Sequence, residues 1–441
     1  MLDSIRWLPL GLVLGCAPAP TQPALVPVPP LAHIDEARAE AYFTEAATLF
    51  ARDDGKLWGL HLDGPILFLD PESREVVANR ADAQGQLVAR GHLFIGHVGN
   101  DVSPANSALE WAGVRWTEVL WPLPEDAPAR KRLMAHEAFH RQQAALRIPM
   151  DDSGNAHLDA LEGRILLQLE WRALKKAVLE QGAPRQRAIE DALVFRARRR
   201  EIFPTAAQDE RALEMNEGLA EYTGTTLASN SPAERRAVAA QLLDKGPAKP
   251  SFVRSFAYAS GPAYGLLLDE TGVPWRRSLS PASDLGALLA HATGARLPPK
   301  LEAESANRQS SYDGATLRGT EGRREEARLA RAASYRARFV EGPHLVIALR
   351  KKQISFDPNQ LEPLGDAGTV YRQLRVSDEW GVLSASTGAL LSEDWTTVTV
   401  STPADPAAHP LQGDGWTLQL SPGWTLKPGA RKGDFTLAGP R

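Results

Sequence analysis

Residues 130–146 read RKRLMAHEAFHRQQAAL, a helical pattern that contains His136, Glu137 and His140. A helix places residues four apart on one face, so the two imidazoles can reach a single ion while Glu137 sits beside that face. This spacing is typical of a zinc-binding helix. The alternative is a pair of ordinary surface or core histidines on one helix.

A second helical run supplies two acids, since residues 216–222 read NEGLAEY and place Glu217 four residues before Glu221. A catalytic zinc needs three protein ligands and an open position for water. A carboxylate from a second helix is one way to complete the set. The alternative is a pair of solvated helix carboxylates.

Together the two segments resemble the gluzincin metallopeptidases, the broad group of thermolysin-like and aminopeptidase N-like enzymes. That group carries a His-Glu-x-x-His helix followed by a helix whose Glu is the third ligand, commonly in an Asn-Glu-Gly context. The resemblance implies a bound Zn2+ ion, a general base and two residues that support the ligands. The implied residues are His136, His140 and Glu217 as ligands, Glu137 as base, Asn216 beside the third ligand, and Glu221 orienting a ligand histidine.

The resemblance concerns a site motif and covers about residues 105–270, because 76 residues separate His140 from Glu217. That separation requires two inserted helices, which the pattern places near 157–180 and 185–201. Upstream, Val114–Trp121 has the place in sequence of the gluzincin edge strand, which lies beside the cleft and pairs with an extended substrate.

Residues 256–266 read FAYASGPAYGL and offer two phenols after the Glu217 helix. A peptidase needs a donor for the oxyanion that develops on the substrate. The stretch resembles the Tyr-x-x-Gly segment of aminopeptidase N-like enzymes, which selects Tyr258, and Tyr264 is the competing choice. The sequence carries no exopeptidase motif of the Gly-x-Met-Glu-Asn kind, so an aminopeptidase is not favoured.

Residues 7–16 form a short apolar run that ends in VLGC, and Cys16 is the single cysteine of the chain. The run is too short to span a bilayer and resembles the lipobox of bacterial lipoproteins. This predicts a signal peptide over 1–15, acylation of Cys16, and a Pro-rich tether over 16–34. The residue after the cysteine is Ala17 rather than Asp, which favours the outer membrane. The alternative is an ordinary cleaved signal with a chance cysteine.

The composition excludes several classes of protein. Lys and Arg number 50 against 54 Asp and Glu, a formal charge of −4, so no global field favours nucleic acid as a partner. The sequence has no Gly-rich phosphate loop or dinucleotide fingerprint, so no nucleotide is expected. One cysteine allows neither an intrachain disulfide nor a Cys-rich metal site, so His and carboxylates must hold any metal.

Periodicity predicts an α+β protein with an N-terminal mixed sheet, a helical half and a small C-terminal β-rich domain. The gluzincin resemblance implies that the sheet and the helical half form a zincin-like body. No segment after the tether is apolar over a length that could span a bilayer. The predicted units are an α+β sheet subdomain at 35–125, a helical zinc-site subdomain at 126–296, a charged helical linker at 297–342 and a β-rich domain at 343–441. The predicted extended runs include 57–62, 75–78, 369–376 and 416–420, and the charged run at 321–338 is predicted to be a solvated connecting helix.

The gluzincin and lipobox resemblances together imply a zinc-dependent metallopeptidase tethered to the cell envelope by its lipid, facing the periplasm or the exterior and acting on peptides or proteins. Two alternatives stay open. One is a non-catalytic envelope lipoprotein that uses a metallopeptidase-like scaffold as a binding module. The other is a zinc hydrolase that acts on cell-wall amides.

Overall fold

A computed structural model describes residues 34–99, 101–151, 154–356 and 361–440. These residues form an α+β protein, as predicted, with a C-terminal region rich in strands. The predicted signal peptide, the lipidation site at Cys16 and the tether up to residue 33 lie outside the described residues. Among the described residues, none of the helices combines the length and the apolar character needed to cross a membrane.

The N-terminal part is a helix packed on a mixed sheet. Helix α1 (Glu36–Asp53) is capped by Asp35, whose side chain accepts a hydrogen bond from the Arg38 amide. On this helix, the Phe43 ring stacks on Phe68 of the sheet, with the ring centroids 4.4 Å apart. The strands are β1 (Ile66–Leu69), β2 (Glu75–Ala78), β3 (Val88–Arg90), β4 (Leu93–His97), β5 (Ser107–Trp111) and β6 (Val114–Leu120). Their order is β3-β4-β2-β1-β6-β5.

The expected edge strand is not at the edge. Strand β6 pairs in parallel with β1 and antiparallel with β5, so both of its sides are hydrogen-bonded within the sheet. The edge on that side is β5, a strand that the sequence analysis did not identify. The five residues, SALEW, do not alternate strictly between polar and apolar, and none of them is fully buried. Both β5 and β6 pack against the helix that carries His136.

A block of helices follows the sheet and contributes most of the largest hydrophobic core. The predicted inserted helices are present as α3 and α4, which pack on each other. The helices are α2 (Ala127–Leu146), α3 (Leu161–Leu179), α4 (Gly182–Ile202), α5 (Ala206–Leu213), α6 (Leu219–Ala228), α7 (Pro232–Lys245), α8 (Phe256–Glu270), α9 (Leu285–Thr293), α10 (Leu301–Arg308) and α11 (Gly314–Arg336).

Helix α11 joins the helical block to the C-terminal strands. Its first half is docked rather than fully solvated, since Glu321 is 3% exposed and accepts hydrogen bonds from Arg164 and Gln168 of α3. Its end packs Phe339, in the turn that follows α11, into a small cluster with Leu364 of the C-terminal region. One helix therefore contacts both regions.

The C-terminal region is formed by two sheets that share one core, with Val398 of one sheet and Val376 of the other both fully buried in it. The strand orders are β17-β18-β7-β14-β13-β10-β9 and β15-β16-β12-β11-β8. The strands are β7 (His344–Ala348), β8 (Gln353–Phe356), β9 (Leu361–Pro363), β10 (Thr369–Tyr371), β11 (Leu374–Asp378), β12 (Gly381–Ala385), β13 (Ala389–Leu391), β14 (Thr397–Ser401), β15 (Leu411–Gly413), β16 (Trp416–Leu420), β17 (Thr425–Pro428) and β18 (Phe435–Ala438).

Candidate metal centre

Helix α2 presents the two histidines of the sequence motif to the inside of the molecule. It begins at Asp126, whose side chain accepts a hydrogen bond from the Ala129 amide at 2.9 Å, and a proline lies in its first turn. His136 and His140 are 4% and 6% exposed. Because they lie one helical turn apart, their rings face the same neighbours.

Glu217 reaches the histidines from a widened turn. Residues Glu214–Gly218 form a π-helical turn that joins α5 and α6 into one continuous helical segment. Such turns insert an extra residue into a helix and occur frequently at functional sites. The sequence pattern predicts a regular helix here, because nothing in the periodicity of so short a segment marks the extra residue.

Three ligand atoms converge on one point. The Nε2 atoms of His136 and His140 are 3.0 Å apart, and Glu217 Oε2 lies 3.1 Å from the first and 3.3 Å from the second. Zinc–nitrogen bonds of about 2.0–2.1 Å in a tetrahedral site put neighbouring ligand atoms about 3.3 Å apart. The observed triangle is close to that size, so the three side chains fit a tetrahedral metal with one further position.

The outer nitrogens of both rings already have partners. His136 Nδ1 lies 3.0 Å from Glu221 Oε2, and His140 Nδ1 hydrogen-bonds to the Gln143 side-chain oxygen. A carboxylate or carbonyl oxygen only accepts, so each Nδ1 carries the proton. When both rings are neutral, their Nε2 lone pairs face the Glu217 carboxylate, so three acceptor atoms meet with no hydrogen-bond donor among them. A cation bound between them would satisfy all three.

The surrounding charges also favour a cation. Burial alone would lower the pKa of His136, but the carboxylates of Glu137, Glu217 and Glu221 outweigh burial and raise it to about 10. Burial would raise the pKa of Glu217, yet the two histidine rings beside it outweigh that effect and hold the pKa well below its usual range. A proton on His136 or a metal ion would each supply the positive charge that this group of acids attracts.

Glu137 lies on α2 beside the cluster and is 5% exposed. Burial raises the pKa of its carboxyl, and the neighbouring histidines partly oppose that effect. Strand β6 places Glu118, which is fully buried, close enough for the charges of the two acids to interact. A buried carboxyl with a raised pKa is suited to proton transfer near neutral pH.

The two candidate tyrosines lie in different surroundings. The Tyr258 ring stacks on His136 with centroids 5.4 Å apart and planes 9° apart, and the residue as a whole remains 37% exposed. Burial and the adjacent Glu217 carboxylate raise its pKa well above the usual range. Tyr264 is fully buried and donates a hydrogen bond to Glu170 at 2.6 Å. The structure therefore places Tyr258, and not Tyr264, at the cluster.

A glycine contact holds the tyrosine helix against the Glu217 segment. A methyl group at Gly261 of α8 would overlap the backbone of Gly218, and one at Gly218 would lie 3.3 Å from Gly261 Cα. The two backbones touch with no side chain between them. This close approach fixes how far Tyr258 lies from Glu217.

Two residues that support the cluster were missed by the sequence analysis. Gln143 is fully buried and donates a hydrogen bond to Asn216 Oδ1 at 3.1 Å, and Arg132 Nε lies 3.1 Å from Glu221 Oε1. Asn216 Nδ2 in turn lies 3.4 Å from Glu217 Oε1. The available signal was their position on the histidine helix, since 143 and 132 lie three and four residues from a motif histidine.

Comparisons of the chain with protein-family models, with curated proteins and with solved structures find no match. The candidate site is therefore supported by its own geometry.

Proposed function

We propose that this protein is a zinc-dependent metallopeptidase of the gluzincin type with a zincin-like body. The observation that carries the proposal is the triangle of His136 Nε2, His140 Nε2 and Glu217 Oε2, with separations of 3.0 to 3.3 Å and both Nδ1 atoms already hydrogen-bonded. Water-activating zinc sites commonly combine two histidines with one carboxylate and leave one position open. This donor set fits zinc better than Mg2+ or Ca2+, which prefer oxygen ligands.

In the proposed reaction the metal, when bound, acts as a Lewis acid toward water and the substrate carbonyl. Glu137 takes the proton of the attacking water and returns it to the leaving amine. The Tyr258 hydroxyl donates a hydrogen bond to the oxygen of the substrate carbonyl as negative charge develops there. Glu221 and Arg132 hold the His136 ring in place from the side away from the cluster.

Metal analysis tests the proposal directly. We expect about one Zn2+ per chain in the parent protein and a large loss in His140→Ala, because a three-ligand site loses one of its ligands. His61→Ala is the matched control, since the His61 side chain is 66% exposed and lies outside the helices and strands, between α1 and β1. Circular dichroism verifies that each variant is folded. A folded parent protein that binds no zinc would contradict the proposal.

Substrate class is tested with the zinc-loaded protein. We expect hydrolysis of internal bonds in a peptide library, and little hydrolysis of peptidoglycan fragments. Preferential cleavage of the fragments would assign the site to cell-wall amides instead. Zinc binding without hydrolysis of either substrate would favour the non-catalytic binding module. Against that alternative, suitable residues fill the three ligand positions and the base position, namely His136, His140, Glu217 and Glu137.

The lipobox-like sequence at Cys16 supports an envelope location as part of the same proposal. We expect the full chain to incorporate a fatty-acid label in a Gram-negative host, and Cys16→Ser to abolish that incorporation. Equal labelling of the two proteins would contradict the lipid anchor without affecting the zinc proposal.

A further inference from the structure

Gln143 occupies an unusual place for an amide side chain. It lies on α2 three residues after His140, is fully buried, and has polar neighbours on both ends of its amide. Its Oε1 is 2.5 Å from His140 Nδ1, and its Nε2 is 3.1 Å from Asn216 Oδ1 and 3.3 Å from the Pro149 carbonyl oxygen. One side chain thus contacts the helix of the two histidines, the chain after that helix and the segment of Glu217.

The direction of these hydrogen bonds is fixed by groups that only accept. The Pro149 carbonyl accepts, so the Gln143 atom facing it must be the NH2 group. The Glu217 carboxylate accepts, so Asn216 turns its own NH2 group toward Glu217 Oε1 and its oxygen toward Gln143. Both constraints leave the Gln143 oxygen facing His140, which must then donate from Nδ1.

The same amide therefore acts on two of the three converging side chains. On one end it holds the proton of His140 on Nδ1, which leaves the Nε2 lone pair free to face the cluster. On the other end, through Asn216, it holds Glu217 Oε1 and leaves Oε2 to face the histidines. A nonpolar residue of the same size would fill the space without either effect.

We propose that Gln143 is a positioning residue for the metal centre, which fixes the Nδ1–H form of His140 and couples the orientation of that ring to the orientation of the Glu217 carboxylate. The inference is based on the proposed zinc site. It adds to that site a hydrogen-bonded bridge, between the second histidine and the third ligand, that neither sequence motif contains.

Replacement of Gln143 by Met tests the proposal, because Met has a similar length and shape but provides neither the amide donor nor the amide acceptor. In the metal-free protein, nitrogen-15 NMR of the histidine rings should show His140 protonated on Nδ1 in the parent. In Gln143→Met it should show a mixture of the two neutral forms. Zinc affinity, measured by chelator competition, should fall about 10- to 100-fold.

Gln142→Met is the matched control on the next position of the same helix. Its amide donates to the His61 carbonyl near the surface at 3.2 Å, away from the cluster. We expect its histidine spectrum and its zinc affinity to equal those of the parent. A Gln143→Met protein with the parental Nδ1–H signal and the parental zinc affinity would overturn the proposal.

Gln143→Glu separates the two ends of the amide and covers the case in which the Met variant does not fold. Its carboxylate still accepts from His140 but cannot donate to Asn216 or Pro149. We expect the Nδ1–H signal to persist while zinc affinity still falls. Loss of the Nδ1–H signal in this variant would contradict the assigned direction of the bond. If the parent bound no zinc, the NMR measurement would still test Gln143 separately from the proposed function.

Discussion

At the residue scale, the proposed base and the proposed ligands can be separated by substitution. Glu137 neighbours His136 in sequence, yet the three converging atoms belong to other side chains. We expect Glu137→Gln to keep its zinc and to lose about 10²- to 10⁴-fold in kcat, since general base catalysis contributes that much. Metal analysis and peptide hydrolysis measure the two quantities on one preparation. Hydrolysis at the parental rate would exclude Glu137 as the base.

The two tyrosines should give opposite results when their hydroxyls are removed. We expect Tyr258→Phe to lower kcat about 10²- to 10³-fold with little change in stability or zinc affinity, since it removes one oxyanion donor. Tyr264→Phe should leave kcat unchanged but lower the free energy of unfolding by about 1–3 kcal/mol, because buried Glu170 loses a hydrogen-bond partner. Steady-state kinetics and urea unfolding test the pair. The reverse pattern would assign the oxyanion role to Tyr264.

The sequence alone was enough to identify site residues that lie close together along one helix. His136 and His140 are found together because helix periodicity puts positions four apart on one face. The contact between Gln143 and Asn216 spans 73 positions, so it depends on how two helical segments pack. No local pattern encodes that packing, and the same reason explains why Arg132 was missed.

At the scale of elements, the glycine contact between α8 and the π-helical turn should be intolerant of substitution. We expect Gly261→Ala to destabilise the fold by about 1–3 kcal/mol, because the methyl group would overlap the Gly218 backbone. Zinc affinity should fall as well, since the displaced turn carries Glu217. Urea unfolding and chelator competition provide the two measurements.

Gly322→Ala is the control for that substitution. Gly322 lies inside α11, and within the described parts of the chain no atom outside its own helix turn comes within 4 Å of an added methyl group. We expect it to stabilise the protein by about 0.5–1 kcal/mol, the usual gain from alanine in a helix. An equal response of the two variants would show that the Gly218–Gly261 contact has no special role.

Helices and strands with a strong hydrophobic period were predicted well, whereas segments whose structure depends on pairing with a distant strand were not. Helix α2 and strands β2 and β16 lie where periodicity placed them. Leu57–Leu62 was expected to be extended but forms turns, because its apolar residues pack without a partner strand. Thr369–Val376 was expected as one strand but divides into β10 and β11, which belong to different sheets. Pairing over long distances decides such cases.

At the scale of the whole molecule, a buried charge network links α3, α4 and α5, because Arg199 of α4 pairs with both Glu170 of α3 and Glu210 of α5. Glu210 of α5 is fully buried and lies 2.9 Å from His157 Nε2 and 2.8 Å from Arg200 Nε, with Arg199 as a further partner. Burial would raise the pKa of Glu210, but the Arg199 guanidinium and the hydrogen bonds outweigh it and hold that pKa well below 4.5.

This network predicts how stability depends on pH. The pKa of Glu210 is lower in the folded state than in the unfolded chain, so its contribution is fully present above about pH 4.5 and is lost as the pH falls further. We expect Glu210→Gln to be less stable than the parent at neutral pH, by about 3–5 kcal/mol, and the difference to shrink in acid. Urea unfolding at a series of pH values measures it.

Glu201→Gln is the control for the pH series, since the Glu201 side chain is 50% exposed and pairs with Arg198 at the surface. Its effect should stay within about 1 kcal/mol at every pH. A stability difference between Glu210→Gln and the parent that does not vary with pH would contradict the assigned pKa direction.

The sequence predicted the α+β class but could not predict how the regions are joined. Alternating period-two and helical segments are readable along the chain, and they indicate which layers exist. Glu321 was assigned to a solvated helix because its neighbours are charged. Its burial against Arg164 is a contact across 157 positions, which charge patterning does not reveal.

Helix α11 contacts the helical block through Glu321, and at its C-terminal end it contacts the strand region near Phe339. The helix therefore connects the two regions rigidly. Each residue of an α-helix advances the axis by about 1.5 Å and turns it by about 100°. One extra alanine between these two contacts would therefore rotate the strand region by about 100°, more than a quarter turn, whereas four would leave it about 40° past a full turn. The length of this helix, counted in single residues, sets the angle at which the two regions meet.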